Sequence, residues 1–170
     1  MIGKEYKWYV VYTRSQHEKR LNEAVSKLNI ETYLPITKTL RIWSDRKKVI
    51  EMPLFPNYLF VRASCKEYVK IIEHHSVIGF VKNSGELSVV PENVLFMIKK
   101  MIEGQLEYQL TTLNPSKGTF VNVISGPLVG FSGKVIQSSG GPYLTIEILQ
   151  INRSFLVKID RNSITDRRIN

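Results

Sequence analysis

Met52-Pro53-Leu54-Phe55-Pro56-Asn57-Tyr58-Leu59-Phe60-Val61 is the stretch whose reading decides the fold. Pro53 and Pro56 fix φ and remove two backbone donors, so Leu54 and Phe55 cannot sit inside a regular ladder. Pro56 also holds Phe55 extended. Asn57 suits a turn. Tyr58 to Val61 then has the aromatic and β-branched content of a buried strand. The pattern predicts an apolar corner held rigid just before a central strand. Two uses of that corner stay open: it closes the core, or it offers Phe55 outward as an aromatic anchor.

Working back towards the N-terminus, Leu40 to Ile50 carries Arg41, Trp43, Arg46, Lys47 and Lys48 around a Ser44-Asp45 turn, which predicts a protruding hairpin. An exposed Trp among basic residues stacks on bases and meets phosphates; the other reading is a hairpin tip kept soluble by lysines, with the Trp on its own strand. Thr32 to Thr39 predicts a strand interrupted by Pro35. Ser15-Gln16-His17-Glu18 has the spacing of a capping box, so a helix is expected from about Gln16, with Leu21, Val25 and Leu28 as its core stripe. Arg14 sits in the preceding turn, and Arg20, Ala24 and Lys27 fall on a neighbouring face. That face is either a basic patch for a polyanion or an ordinary solvated helix surface. Trp8 to Tyr12 is apolar at every position, which predicts a strand buried on both faces.

Towards the C-terminus, Ser64-Cys65-Lys66-Glu67 repeats the capping-box pattern and opens a second helix ending near His74, with Val69 and Ile72 on its apolar side. Val77 to Lys82 predicts a strand. Pro91 opens a third helix, with Val94, Leu95, Ile98, Met101 and Ile102 buried, and Gly104 ends it. Gln105 to Ser116 is polar and aperiodic and is expected to be a linker. From Lys117 to about Thr165 the texture changes to short alternating strands and glycine turns, the pattern of a small β-barrel of four strands. The expected division is 1–104, linker 105–116 and 117–170.

Composition bounds the function. The formal net charge is +9, from 24 Lys and Arg against 15 Asp and Glu, which favours a polyanion partner. Residues 1–51 hold 11 basic and 6 acidic groups, so the excess is greatest in the N-terminal third. The single cysteine, Cys65, excludes an internal disulfide framework and fits a reducing cytoplasm. The sequence shows neither a signal peptide nor a spanning helix, so a cytoplasmic protein without membrane contact is expected. The three histidines have no zinc-site spacing, and nucleotide-binding and hydrolase motifs are absent. An enzyme is not expected, nor is any cofactor or metal.

Trp8-Tyr9-Val10-Val11, the helix after it, and Pro53 to Val61 resemble the N-terminal (NGN) domain of NusG-type transcription elongation factors. Val123-Ile124-Ser125-Gly126-Pro127-Leu128-Val129-Gly130-Phe131-Ser132-Gly133-Lys134-Val135 is similar to the KOW motif of the same family. The form of residues 54–61 looks closer to the specialised RfaH-like and UpxY-like paralogs. The resemblance implies an α/β (α+β) NGN sandwich followed by a small SH3-like KOW β-barrel. It implies that Phe55, with Tyr12, Pro56 and Tyr58, meets the clamp helices of the RNA polymerase β′ subunit. Arg14, Arg20 and Lys27 match positions beside the non-template DNA strand; separately, the hairpin's own residues make Arg41, Trp43, Arg46 and Lys47 expected nucleic-acid contacts. Gly126, Pro127, Gly130, Phe131 and Gly133 are the matching KOW positions, where Phe131 is expected to pack the barrel. Ile151 takes the place of the family's apolar contact for ribosomal protein S10. A monomeric, non-enzymatic antitermination factor for long surface-polysaccharide operons is expected; a ribosome-associated KOW protein that binds RNA is the alternative.

Overall fold

The computed structural model describes residues 4–42, 47–111, 118–138 and 140–166. The chain divides into two compact units, Met1–Val90 and Pro91–Asn170.

The first unit is a sheet with two helices on one face. Its strands are β1 (Lys7–Thr13), β2 (Thr32–Tyr33), β3 (Ile36–Ile42), β4 (Lys47–Pro53), β5 (Tyr58–Ala63), β6 (Val77–Phe80), β7 (Lys82–Asn83), β8 (Glu86–Leu87) and β9 (Val89–Val90). The helices are α1 (Glu18–Ser26) and α2 (Cys65–Ile72). The sheet order is β2-β5-β1-β6, with β9 also pairing β1. All these pairings are antiparallel, and β1 sits at the centre, as its unbroken apolar run requires. β3 and β4 form the expected hairpin, with Lys47 exposed near its far end. Trp43 and Arg46 lie outside the described residues, and Arg41 is placed only as a backbone position in β3.

Alternation along β1 and β5 sorts their side chains onto two faces. Tyr9, Val11, Leu59, Val61 and Ala63 join Leu21 and Val25 of α1 and Ile71 of α2 in one buried core. The opposite face carries the paired positions Trp8 and Arg62, Val10 and Phe60, and Tyr12 and Tyr58.

Two helix expectations change. The core stripe of α1 is Leu21 and Val25; the helix stops at Ser26, and Leu28 lies beyond it, 48% exposed. In α2 the buried residue is Ile71, and Val69 is exposed. The Ser64 cap of α2 forms as expected, with both halves of the capping box present.

The second unit begins with α3 (Glu92–Glu103), which buries Leu95, Met97, Ile98 and Met101. It continues with strands β10 (Tyr108–Thr111), β11 (Thr119–Val123), β12 (Ser132–Ser138), β13 (Gly141–Ile148), β14 (Arg153–Lys158) and β15 (Ile164–Asp166). The sheet order is β10-β14-β13-β12-β11-β15. Among the described residues this sheet has six strands against the expected four, and one of the added strands, β10, comes from the supposed linker: Tyr108 to Thr111 pair with Val157 to Ser154. The unit boundary also differs from residue 104, since α3 groups with the barrel and packs on β13. β-branched inward positions fill the interior: Val121, Val123, Val135, Ile146, Ile148 and Val157 are all buried with Phe155.

The KOW glycines answer to backbone demands. Gly126 and Gly130 have φ of 84° and 87°, a region L side chains rarely adopt. At Gly133 a Cβ would stand 3.0 Å from Leu144 Cδ1 and 3.3 Å from the Thr145 carbonyl. Pro127 is exposed, and its side chain lies beside Gly104. Phe131 is half-buried, its ring 5.7 Å from that of Phe96 on α3, so it packs against the helix.

Candidate nucleic-acid and partner interface

The proline-braced corner forms, but its aromatic points inward. Leu54 N–H donates to the Pro35 carbonyl at 2.8 Å and Tyr58 N–H to the Phe55 carbonyl at 3.3 Å. Phe55 is only 2% exposed, its ring edge-on to Phe60 at 5.9 Å. The expectation of an outward Phe55 anchor is therefore corrected: this side chain closes the core of its own unit. The physical reason is the register. Phe60 faces away from the helices, and a second large ring beside it removes apolar area from water there.

The accessible groups at the corner are its neighbours. Tyr12 is 37% exposed and Tyr58 is half-buried, their rings 5.4 Å apart and tilted by 46°. They are direct cross-strand partners, so the sheet register brings them together. Pro56 is exposed beside them in sequence. The result is an aromatic pair at the surface, on the same sheet face as the buried Phe60.

The corner is tied to the turn that carries Arg14. Asn57 has φ of 69°, and its carbonyl accepts the Thr13 N–H at 2.8 Å. Its own N–H donates to Glu18 Oε1 at 2.7 Å. This overturns the Ser15 capping box. Helix α1 is instead capped at His17 with no side-chain hydrogen bond, and Gln16 turns through φ of 62°. Glu18 is buried, spending its carboxylate on a backbone donor far along the chain.

Arg14, Arg20 and Lys27 are all exposed. Arg14 N–H donates to the Ser76 carbonyl at 2.9 Å, which brings the turn before α1 against the segment after α2. Arg14 and Arg20 stand close enough to His75 to act on it electrostatically. Lys27 lies at the opposite end of α1, as its C-cap. The structure thus joins Arg14 and Arg20 in one positive region and leaves Lys27 apart from it. It also adds three residues that carry no motif of their own: His17, His74 and His75. Their only sequence signal was adjacency to helix ends, and their meeting depends on the sheet.

In the barrel, Ile151 is 6% exposed, which corrects the expectation of an exposed apolar contact there. The loop's outward residue is Leu149, at 64%. A short 3-10 turn over Leu149–Ile151 rotates the two to opposite sides.

Fold and surfaces together define an NGN sandwich followed by a small SH3-like KOW barrel. The solved structure titled "Domain interaction in Thermotoga maritima NusG" has this fold: TM-score 0.54 at 22% identity, covering 96% of this chain and 98% of that one. Residues 6–99 match the family model described as "Transcription termination factor nusG". The chain belongs to the NusG family of non-enzymatic transcription factors. Curated relatives are the transcription termination/antitermination proteins NusG of Bacillus subtilis and Borreliella burgdorferi. Each is 25% identical, over 77% and 75% of this chain and 81% and 80% of their own lengths. No helix among the described residues is long and apolar enough to cross a membrane.

Proposed function

We propose that this chain is an elongation and antitermination factor of the specialised, RfaH-like or UpxY-like kind. It binds the clamp helices of the RNA polymerase β′ subunit through the Tyr12–Tyr58 pair and Pro56, and it contacts non-template DNA through Arg14 and Arg20. The observation that carries this is the pairing of Tyr12 and Tyr58, with rings 5.4 Å apart at the surface. Amphipathic aromatics of this kind bury much area at little entropic cost and are enriched among interface hot spots. Phe55 and Phe60 support the surface from beneath. Bridging the clamp across the nucleic-acid channel suppresses pausing and carries transcription past terminators on long operons, such as those for surface polysaccharides. In the barrel, Leu149 is the exposed residue suited to a ribosomal S10 contact.

The test is capture of core RNA polymerase by the full chain and by Tyr12→Ala and Tyr58→Ala variants. Each variant is expected to weaken binding by roughly 10- to 30-fold, the scale of a 1.4–2 kcal/mol hot spot, with native circular dichroism. Unchanged capture by both removes the aromatic pair from the site. Co-purification with ribosomes in place of polymerase supports the RNA-binding alternative.

A further inference from the structure

Ser76 is fully buried, and all three of its side-chain partners are histidines. Its carbonyl takes the Arg14 N–H. Its N–H donates to His74 Nδ1 at 3.2 Å, so that nitrogen carries no proton. Its Oγ lies 3.0 Å from His17 Nδ1 and 3.4 Å from His75 Nε2. The His74 and His75 rings stack at 4.4 Å, and those of His17 and His75 meet edge-on at 6.1 Å. Every histidine of the chain is in this cluster. The rings are not placed to share a metal ion.

We propose that His17, His74 and His75 form, with Arg14 and Arg20, a nucleic-acid phosphate site that strengthens as the His75 imidazole gains a proton. The proposal rests on the nucleic-acid reading of Arg14 and Arg20 and adds its regulation.

The physical argument is mutual repulsion. Three imidazoles surround one serine, and Arg14 and Arg20 stand close enough to His75 to act on it. The acidic side chains next to them in sequence are Glu18 and Glu73. Glu18 is buried and committed to the Asn57 N–H, and Glu73 is exposed at the end of α2. In the free protein, partial desolvation and the charges of Arg20, His74, His17 and Arg14 push the pKa of the exposed His75 below its ordinary value. His75 therefore resists its proton in the free protein. A phosphodiester supplies the missing negative charge. Its arrival favours protonation, and by reciprocity protonation favours its binding. A purely structural histidine cluster has no such coupling.

The experiment is anisotropy of a fluorescein-labelled single-stranded DNA oligonucleotide titrated with the full chain. It runs from about pH 5.5 to about pH 8 at constant ionic strength, spanning the imidazole range. Binding is expected to tighten as pH falls, by up to about tenfold per pH unit for each proton taken up. A His17→Gln/His75→Gln variant, checked by circular dichroism, is expected to lose most of that slope. The His75 ring, followed by NMR, is expected to titrate at higher pH when DNA is present. An identical slope in chain and variant, or a His75 titration unmoved by saturating DNA, overturns the proposal while leaving the nucleic-acid reading intact. Displacement of the DNA by inorganic phosphate at equal phosphate concentration overturns the backbone as ligand. Absence of binding at every pH, with Arg14→Ala no different, overturns the underlying reading and the proposal together.

Discussion

The carboxylate of Glu18 accepts the backbone N–H of Asn57 at 2.7 Å, joining the first turn of α1 to the corner between β4 and β5. The bond is charge-assisted and buried, and it steadies a residue held at φ of 69°. Because Asn57 also accepts from Thr13, hydrogen bonds tie the corner beside the aromatic pair to the turn that carries Arg14.

Removing that carboxylate strands a buried donor. Glu18→Ala is expected to cost about 1–3 kcal/mol in urea denaturation. Glu18→Gln keeps an acceptor and is expected to cost less. Asn57→Gly is expected to tolerate the left-handed backbone better than Asn57→Val. Equal stability for the Ala and Gln variants at Glu18 would remove the charge from this account.

Phe55 and Tyr12 separate core from surface. Phe55→Ala is expected to destabilise the first unit by about 3–5 kcal/mol, since it empties a packed site. Tyr12→Ala, at a half-open surface position, is expected to stay within about 1 kcal/mol of the native chain. Chemical denaturation of the two variants checks the ordering, and a reversed order places Phe55 at the surface after all.

The barrel offers a matching contrast. Ile151→Ala is expected to cost about 2–5 kcal/mol, whereas Leu149→Ala is expected to fall within about 0.5 kcal/mol. Thermal melts of both variants are the measurement. A silent Ile151→Ala contradicts its burial.

The cap of α2 carries a pH signature. The hydroxyl and N–H of Ser64 bond the Glu67 carboxylate, and the hydroxyl bond, first among the causes, holds its pKa down at about 2, from 4.5. The folded value is depressed, so this contribution is present above pH 4.5 and is lost as pH falls from there through about 2. Ser64→Ala is expected to flatten the acid limb of the stability profile in that window. Melting temperatures taken through that window (for instance near pH 7, 4.5 and 2.5) decide it; parallel profiles assign the acid sensitivity to other carboxylates.

His75 acts in the opposite sense. Its pKa lies below the ordinary imidazole value, because of partial desolvation first and then the neighbouring charges. The folded state resists the proton, so the stability this neutral ring contributes is present above pH 6.5 and diminishes as pH falls below it. Arg20→Gln is expected to raise the His75 titration, followed by its ring resonances. No movement excludes Arg20 as a cause.

Local chemistry was enough to fix several elements of this chain. The apolar run at Trp8 to Tyr12 specified a central strand, because only burial on both faces suits it. Pro53 and Pro56 specified a rigid corner through their fixed φ, and Ser64 with Glu67 specified a helix start through a bond only three residues long. The direction of Phe55 was not legible, since rigidity in the backbone says nothing about which side of the sheet is already filled. Ser15 and Glu18 had the spacing of a cap, yet Asn57 N–H, brought close only by folding, was the donor left without another partner and took the carboxylate. The histidine cluster around Ser76 likewise has no pattern along the chain. It exists because β1 and β6 pair side by side, which sets the turn after one against the turn before the other, and that pairing is a property of the whole sheet.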